Sequence, residues 1–189
     1  MHSMKFEENT ILYHGSYIVV DKPDLSQCRK GKDFGQGFYL TTSKAQAIKF
    51  VKTSIKKAIS DKIIPADTAT GYISMYKSKT VEGLNVFEFT DANSEWLHCV
   101  IGHRKLGSIV GEIVNYKDFD IISGKIANDT TNTVITAYMD GLYGEVGSDS
   151  ADRIAIGFLE PDNLKDQICY RTQKAIDTLE YVGCESVTI

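Results

Sequence analysis

The chain has 189 residues, 42% hydrophobic and 24% charged, with 15 Gly, 3 Pro and a formal net charge of −4, which excludes collagenous, coiled-coil and disordered classes. No apolar run reaches the roughly 20 residues of a membrane span, and MHSMKFEENT lacks the apolar stretch of a signal peptide, so one cytoplasmic domain over residues 1–189 is expected. Cysteines 28, 99, 169 and 184 form no CxxC pair and suit buried thiols in a reducing compartment.

TILYHGSYIVV, Thr10 to Val20, is rich in β-branched and aromatic residues and reads as a strand that stops at the turn containing Pro23. GKDFGQGFYLTT gives a glycine-punctuated loop and a short strand, Gly37 to Thr41. Ser/Thr capping candidates then open a helix over Lys44 to Ser60, with Ile48, Val51, Ile55 and Ile59 as its core stripe. Phe50 lies some 200° from Ile48 at about 100° per residue and so needs another partner. Asp61 to Gly83 is expected to be irregular with a short helix, and LNVFEFT to be a strand. Asp91 to Gly107 reads as a capped helix with Trp96, Val100 and Ile101 inward. GEIVNY and DFDIISG are strand candidates, TTNTVITAYMDGLYG is helical, and DRIAIGFL is a further strand. DQICYRT alternates like a strand, and TQKAIDTLEYV is a helix capped by Thr172 with Ala175, Ile176 and Leu179 inward. Short strands mixed with helices, without regular βαβ alternation, indicate an α+β fold.

Charge is distributed unevenly. Residues 1–95 hold 13 Lys/Arg against 11 Asp/Glu, and residues 96–189 hold 8 against 14, so the first half is the better host for an anion. Its excess lies between Ser43 and Lys62, where six lysines face Asp61 alone. A solvated helix face accounts for such a run, and a nucleic-acid-binding face is the alternative, with affinity that falls steeply with salt.

Three places join unusual residues to strand ends: YHGS at 13–16, DFGQGFYLTT at 33–42 and DQICY at 166–170. Each also has a purely structural explanation, as a core histidine, a hairpin or a strand aromatic. WLHCVIGHR places Cys99 and His103 at i,i+4 with His98 adjacent, which is metal-ligand spacing. No second ligand pair accompanies them, so helix packing is preferred and no metal is expected.

YHGS, then GFYLTT before a helix, then a C-terminal strand opened by a polar residue, resembles the His-Tyr-Glu arrangement of the ADP-ribosyltransferase superfamily. With KDFGQGFYLTTSKAQAIKF, WLHCVIGHR, FDIISGKIANDT and DQICYRTQKAIDTL added, the chain more closely resembles the bacterial DUF3990 domain family, from about Ile11 to Leu179. That resemblance implies a split β-sandwich of two small antiparallel sheets with flanking helices, holding NAD as substrate in a crevice. It gives His14 the adenosine ribose hydroxyl, Gly15 the nicotinamide carboxamide through its backbone, and Tyr39 the nicotinamide ring. Ser16 belongs to the same NAD-binding motif. Phe50 is the candidate for the opposite aromatic wall, its alternative being to pack under residues 61–83. Arg29, with Lys30 and Lys32, is the candidate for the pyrophosphate, its alternative being a solvated loop. Asp33 either positions that loop or is exposed.

The third catalytic position departs from the pattern, because Gln167 stands where the superfamily has glutamate. Glutamine keeps the hydrogen bond to the nicotinamide ribose but loses the charge beside an oxocarbenium-like centre. Slower chemistry is expected, or an acid from elsewhere, with Glu112 and Glu160 as candidates. What the resemblance implies is a mono-ADP-ribosyltransferase acting on a protein or nucleic-acid acceptor, as a toxin with a cognate antitoxin or in phage defence. The alternative is an NAD- or ADP-ribose-binding module that has lost transfer.

Overall fold

A computed structural model describes residues 8–105, 116–127, 130–159 and 166–189. It is an α+β fold of two small sheets. The first has the order β1-β3-β7, from β1 (Ile11–Ser16), β3 (Thr70–Ser78) and β7 (Leu179–Thr188), all antiparallel. The second has the order β2-β6-β5-β4, from β2 (Phe38–Leu40), β6 (Asp166–Tyr170), β5 (Ile121–Lys125) and β4 (Val86–Glu88). Here β2-β6 and β6-β5 are antiparallel, while β5 and β4 run parallel, so the second sheet is mixed where two antiparallel sheets were expected.

Between the sheets lies an apolar layer containing Leu12 of β1, Phe38 and Leu40 of β2, Tyr76 of β3, and Ile168 and Tyr170 of β6. Behind the second sheet pack α2 (Ser94–Arg104), α3 (Thr131–Met139) and α4 (Asp149–Leu159), around Trp96, Ile122, Tyr138 and Cys169. Trp96, Val100 and Ile101 are buried there as their spacing predicts, and Trp96 Nε1 donates to the Lys125 carbonyl at 3.1 Å. Asn93 caps α2 by accepting from the Trp96 N–H. Asp152 of α4 lies within 3.2 Å of His98 Nε2 and accepts from the Tyr138 hydroxyl, which in turn accepts from the Gly147 N–H, so one carboxylate ties three helices together.

The first sheet is backed by α1 (Lys44–Ser60), whose bounds agree with those predicted and whose N-cap is Ser43. Its contact stripe differs from the expected one. Ala47, Val51, Ile55 and Ala58 are buried, and Ile48 is 40% exposed. A Cβ built on Gly15 would stand 2.0 Å from the Ala47 carbonyl oxygen, so helix and strand lie nearly backbone to backbone. Only small side chains fit at that approach, and the larger Ile48, one residue round the helix, is turned to solvent.

Four further expectations are corrected. The 61–83 stretch contains the central strand β3, where alternating Gly71, Ile73 and Met75 meet α1 while Ser74 and Tyr76 face the inter-sheet layer. DRIAIGFL is part of the helix α4, because Ala151, Ala155 and Leu159 repeat at four residues and bury one face. Thr172 does cap a helix, but α5 (Gln173–Ile176) is a single turn, and Leu179 begins the ten-residue edge strand β7. β1 ends at Ser16, before the predicted Val20. Gly107, most of GEIVNY, Glu112 and Glu160 lie outside the described residues.

Candidate functional site

The two sheets touch along β1 and β2 at one place. Tyr13 and Thr41 exchange both backbone hydrogen bonds, at 2.9 and 3.1 Å. An antiparallel ladder would next pair Gly15 with Tyr39. Instead the His14 imidazole enters, and its Nδ1 donates to the Tyr39 carbonyl at 2.9 Å while its ring lies on Phe38 with centroids 4.5 Å apart. Pairing between the two strands does not continue beyond that point. Farther along β1 the Tyr17 N–H donates to Ser54 Oγ of α1 at 3.1 Å. Alternation therefore turns the Gly15 N–H and C=O to the same edge, between these two anchors.

With Nδ1 donating, the neutral ring keeps a lone pair on Nε2. Burial pushes the His14 pKa below its ordinary value, against the raising effect of the Tyr39 carbonyl, so the ring is neutral at pH 7. Ser16 is buried, and its side chain shares the His14 face of β1. Phe50 is half-buried on the flank of α1, one turn before Ser54 and so beside this edge. Among the described residues it makes no ring contact with Tyr39.

Tyr39 and Gln167 are turned to the other face of the second sheet. The Tyr39 ring packs with the core beneath α2, its hydroxyl donating to the Gly35 carbonyl at 2.8 Å and accepting from the Phe34 N–H at 3.0 Å. Burial, then the neighbouring Cys169 and Asp33, raises its pKa well above the ordinary value, so it remains a phenol. Gln167 is 5% exposed, and its Nε2 donates to Asp33 Oδ2 at 2.7 Å. Asp33 is itself 4% exposed and also accepts from Arg104 Nε at 2.6 Å and from the Ala127 N–H at 3.4 Å. This bond fixes the Gln167 amide: the nitrogen faces Asp33 and the oxygen is directed away from it. Asp166, next along β6, pairs instead with Lys125 at 3.3 Å.

Arg29 is held at the end of α1 by Asp61 at 2.8 Å, both side chains well exposed. Burial, then the charges of Lys57 and Arg104, pushes the Lys32 ammonium below its ordinary pKa, with Arg29 adding to that effect. Arg29 and Lys32 of the loop before β2, Lys57 of α1 and Arg104 of α2 thus lie near one another, a field that favours an anion.

Sequence reasoning singled out His14, Gly15, Tyr39, Phe50 and Gln167, and the fold brings them to the two flanks of β2. It missed the Asp33–Gln167–Arg104 cluster, whose members come from a loop, a strand and a helix end with no short-range pattern. Of the suggested metal ligands, Cys99 and His103 stay in contact, with Sγ 3.4 Å from Nδ1, and His98 turns away from them. His103 Nδ1 donates to the Cys99 carbonyl at 2.9 Å while His98 turns to Asp152, and no group of three metal-ligating side chains forms among the described residues. Likewise, no helix among them is long and apolar enough to cross a membrane.

No curated protein and no solved structure matches the chain. A family model described as "Protein of unknown function (DUF3990)" covers residues 10–181, nearly the whole described fold apart from most of β7, and the chain belongs to that family.

Proposed function

We propose that this protein is an NAD-dependent mono-ADP-ribosyltransferase that uses the crevice opened between β1 and β2. The observation that carries this reading is the His14 imidazole on the Tyr39 carbonyl, where pairing of β1 with β2 ends and the Gly15 N–H and C=O are left on the strand edge. A primary carboxamide presents one donor and one acceptor in a plane, which is what a free strand edge pairs with. His14 Nε2, a neutral acceptor, takes a ribose hydroxyl. Tyr39, fixed through its hydroxyl, provides a rigid aromatic face for the nicotinamide ring, and Phe50 closes the edge beside Gly15. Arg29 and Lys32 meet the pyrophosphate, Arg29 exchanging Asp61 for a bidentate contact.

Gln167 Oε1 accepts from a hydroxyl of the nicotinamide ribose. Asp33 places a carboxylate one side chain behind it, polarising the amide and restoring part of the negative field a glutamate would supply. The bond between ribose C1′ and the nicotinamide nitrogen breaks with its electron pair leaving on nicotinamide. The acceptor nucleophile then bonds to C1′ and releases its proton. Because Asp33 covers Gln167, the loop that carries it must shift for the ribose to enter. By resemblance, the acceptor is a macromolecule and the biological role that of a bacterial toxin with a cognate antitoxin.

The test is nicotinamide release from NAD, together with mass spectrometry of a lysate incubated with NAD and the protein. An ADP-ribose adduct is expected, lost in Tyr39→Ala and His14→Ala. NAD binding without nicotinamide release would instead identify a binding module.

A further inference from the structure

A cavity of about 330 Å³ opens between the loop before β2, the end of α2 and the exit of β6. It shares Lys30 with the pyrophosphate candidates and touches Gly35, whose carbonyl holds the Tyr39 hydroxyl, but is lined by none of His14, Gly15, Tyr39, Phe50 and Gln167. Among the described residues its walls carry Lys30, Lys117 and Arg171 and no carboxylate. Ordinary ligand pockets span roughly 300–1,000 Å³, so this one lies at the small end, a size that suits a mononucleotide better than a dinucleotide.

Among the described residues, two buried polar atoms of the lining have no hydrogen-bond partner, His103 Nε2 and Arg171 Nε. His103 is 5% exposed, and its Nδ1 donates to the Cys99 carbonyl, so the neutral ring presents Nε2 as an acceptor that needs a donor. Arg171 spends Nη1 on the Tyr116 and Phe119 carbonyls, which holds the guanidinium in place and leaves Nε–H to give. Gly35, at φ +82°, permits this arrangement: a Cβ there would stand 2.6 Å from His103 Cδ2. Buried polar atoms are almost always satisfied, and an orphaned donor and acceptor on one cationic cavity mark where a ligand completes the bonding.

We infer that this cavity binds a nucleoside monophosphate, its phosphate on Lys30, Lys117 and Arg171 and a sugar hydroxyl on His103 Nε2, against the Phe119 ring. The phosphate oxygens accept from Arg171 Nε, and the hydroxyl supplies the donor that His103 lacks. Burial and the Arg171 charge keep His103 below its ordinary pKa, consistent with an acceptor role.

Calorimetric titration of the whole protein with AMP tests this, with adenosine and inorganic phosphate as parallel arms. AMP is expected to bind at least about tenfold more tightly than either and to shift the His103 ring resonances in NMR spectra. The double variant Lys30→Glu/Lys117→Glu should lose at least about tenfold in AMP affinity with its circular dichroism and melting temperature unchanged. His14→Ala should keep AMP affinity, which separates this cavity from the crevice. The inference is overturned if AMP gives neither heat nor a His103 shift at millimolar concentration, or if charge reversal leaves its affinity unchanged. Loss of AMP binding in His14→Ala also overturns it, as does phosphate alone binding as tightly as AMP.

Discussion

Asp33 and Gln167, 134 positions apart, meet at 2.7 Å in an almost dry site, with the amide donating and the carboxylate also held by Arg104. Gln167→Glu, the change that would restore the superfamily residue, places a second carboxylate against the first. Like charges at this distance raise the new group's pKa and force the pair to hold a proton. A group whose folded pKa is raised is well tolerated below its unfolded pKa and costs stability as pH rises. Gln167→Glu should therefore lose about 3 kcal/mol at pH 8, with a smaller deficit near pH 5, by urea unfolding at both pH values. Asp33→Asn/Gln167→Glu, which reverses donor and acceptor, should recover most of that loss.

Gly15 has a structural duty apart from any ligand. Its absent Cβ would meet backbone atoms of α1, the Ala47 oxygen at 2.0 Å and the Val51 nitrogen at 2.9 Å, and neither can rotate away. Gly15→Ala should destabilise the fold by about 3 kcal/mol, measured as a lower denaturation midpoint at unchanged m-value.

The buried His14 gives folding a pH dependence of known sign. Its folded pKa is depressed, so the unfolded chain takes up the proton first as pH falls through about 6.5. The stability present above that pH is progressively lost on acidification toward pH 5. His14→Gln keeps an N–H for the Tyr39 carbonyl but cannot titrate. Its stability should fall less steeply over this interval in thermal melts, with His103, whose pKa burial also lowers, supplying the remaining slope.

Asp152 is a second probe of the fold. Burial alone would raise its pKa, yet hydrogen bonds from Tyr138, Ser94 and His98 outweigh burial and hold it below the ordinary value. Its contribution is therefore complete above about pH 4 and is lost as pH falls through the lowered folded pKa. Asp152→Asn should cost about 3 kcal/mol at pH 7 and loosen the packing of α2, α3 and α4, visible as faster amide exchange across those helices.

Elements with strong local signals were legible from sequence. α1 carries a serine cap and a long periodic pattern, and β2 and β6 are short alternating runs between turns. β3 was not legible, because a central strand of a small sheet shows apolar groups to both faces and its Ser and Lys residues mimic a loop. α4 was misread because its apolar residues also alternate over a few positions, and only packing against α2 and α3 selects the helical period. The end of α5 was missed because Leu179 suits either a helix stripe or a strand, and pairing of β7 with β3 decides it. At the site, YHGS and GFYLTT marked the crevice. The position of Asp33 on Gln167 depends on how a glycine-rich loop closes, and nothing within a few residues of either partner encodes that.

Both flanks of the crevice are built by pairing across long stretches of chain. β1 lies against β3, β3 against β7, and β2 against β6, which follows more than a hundred residues later. Loop closure must be paid before such contacts stabilise anything, so they slow folding. The helices behind the second sheet are local and can form early. These long-range strand pairings are therefore the last part of the molecule to assemble, and a chain still emerging from the ribosome, without β6 and β7, has helices but neither sheet complete.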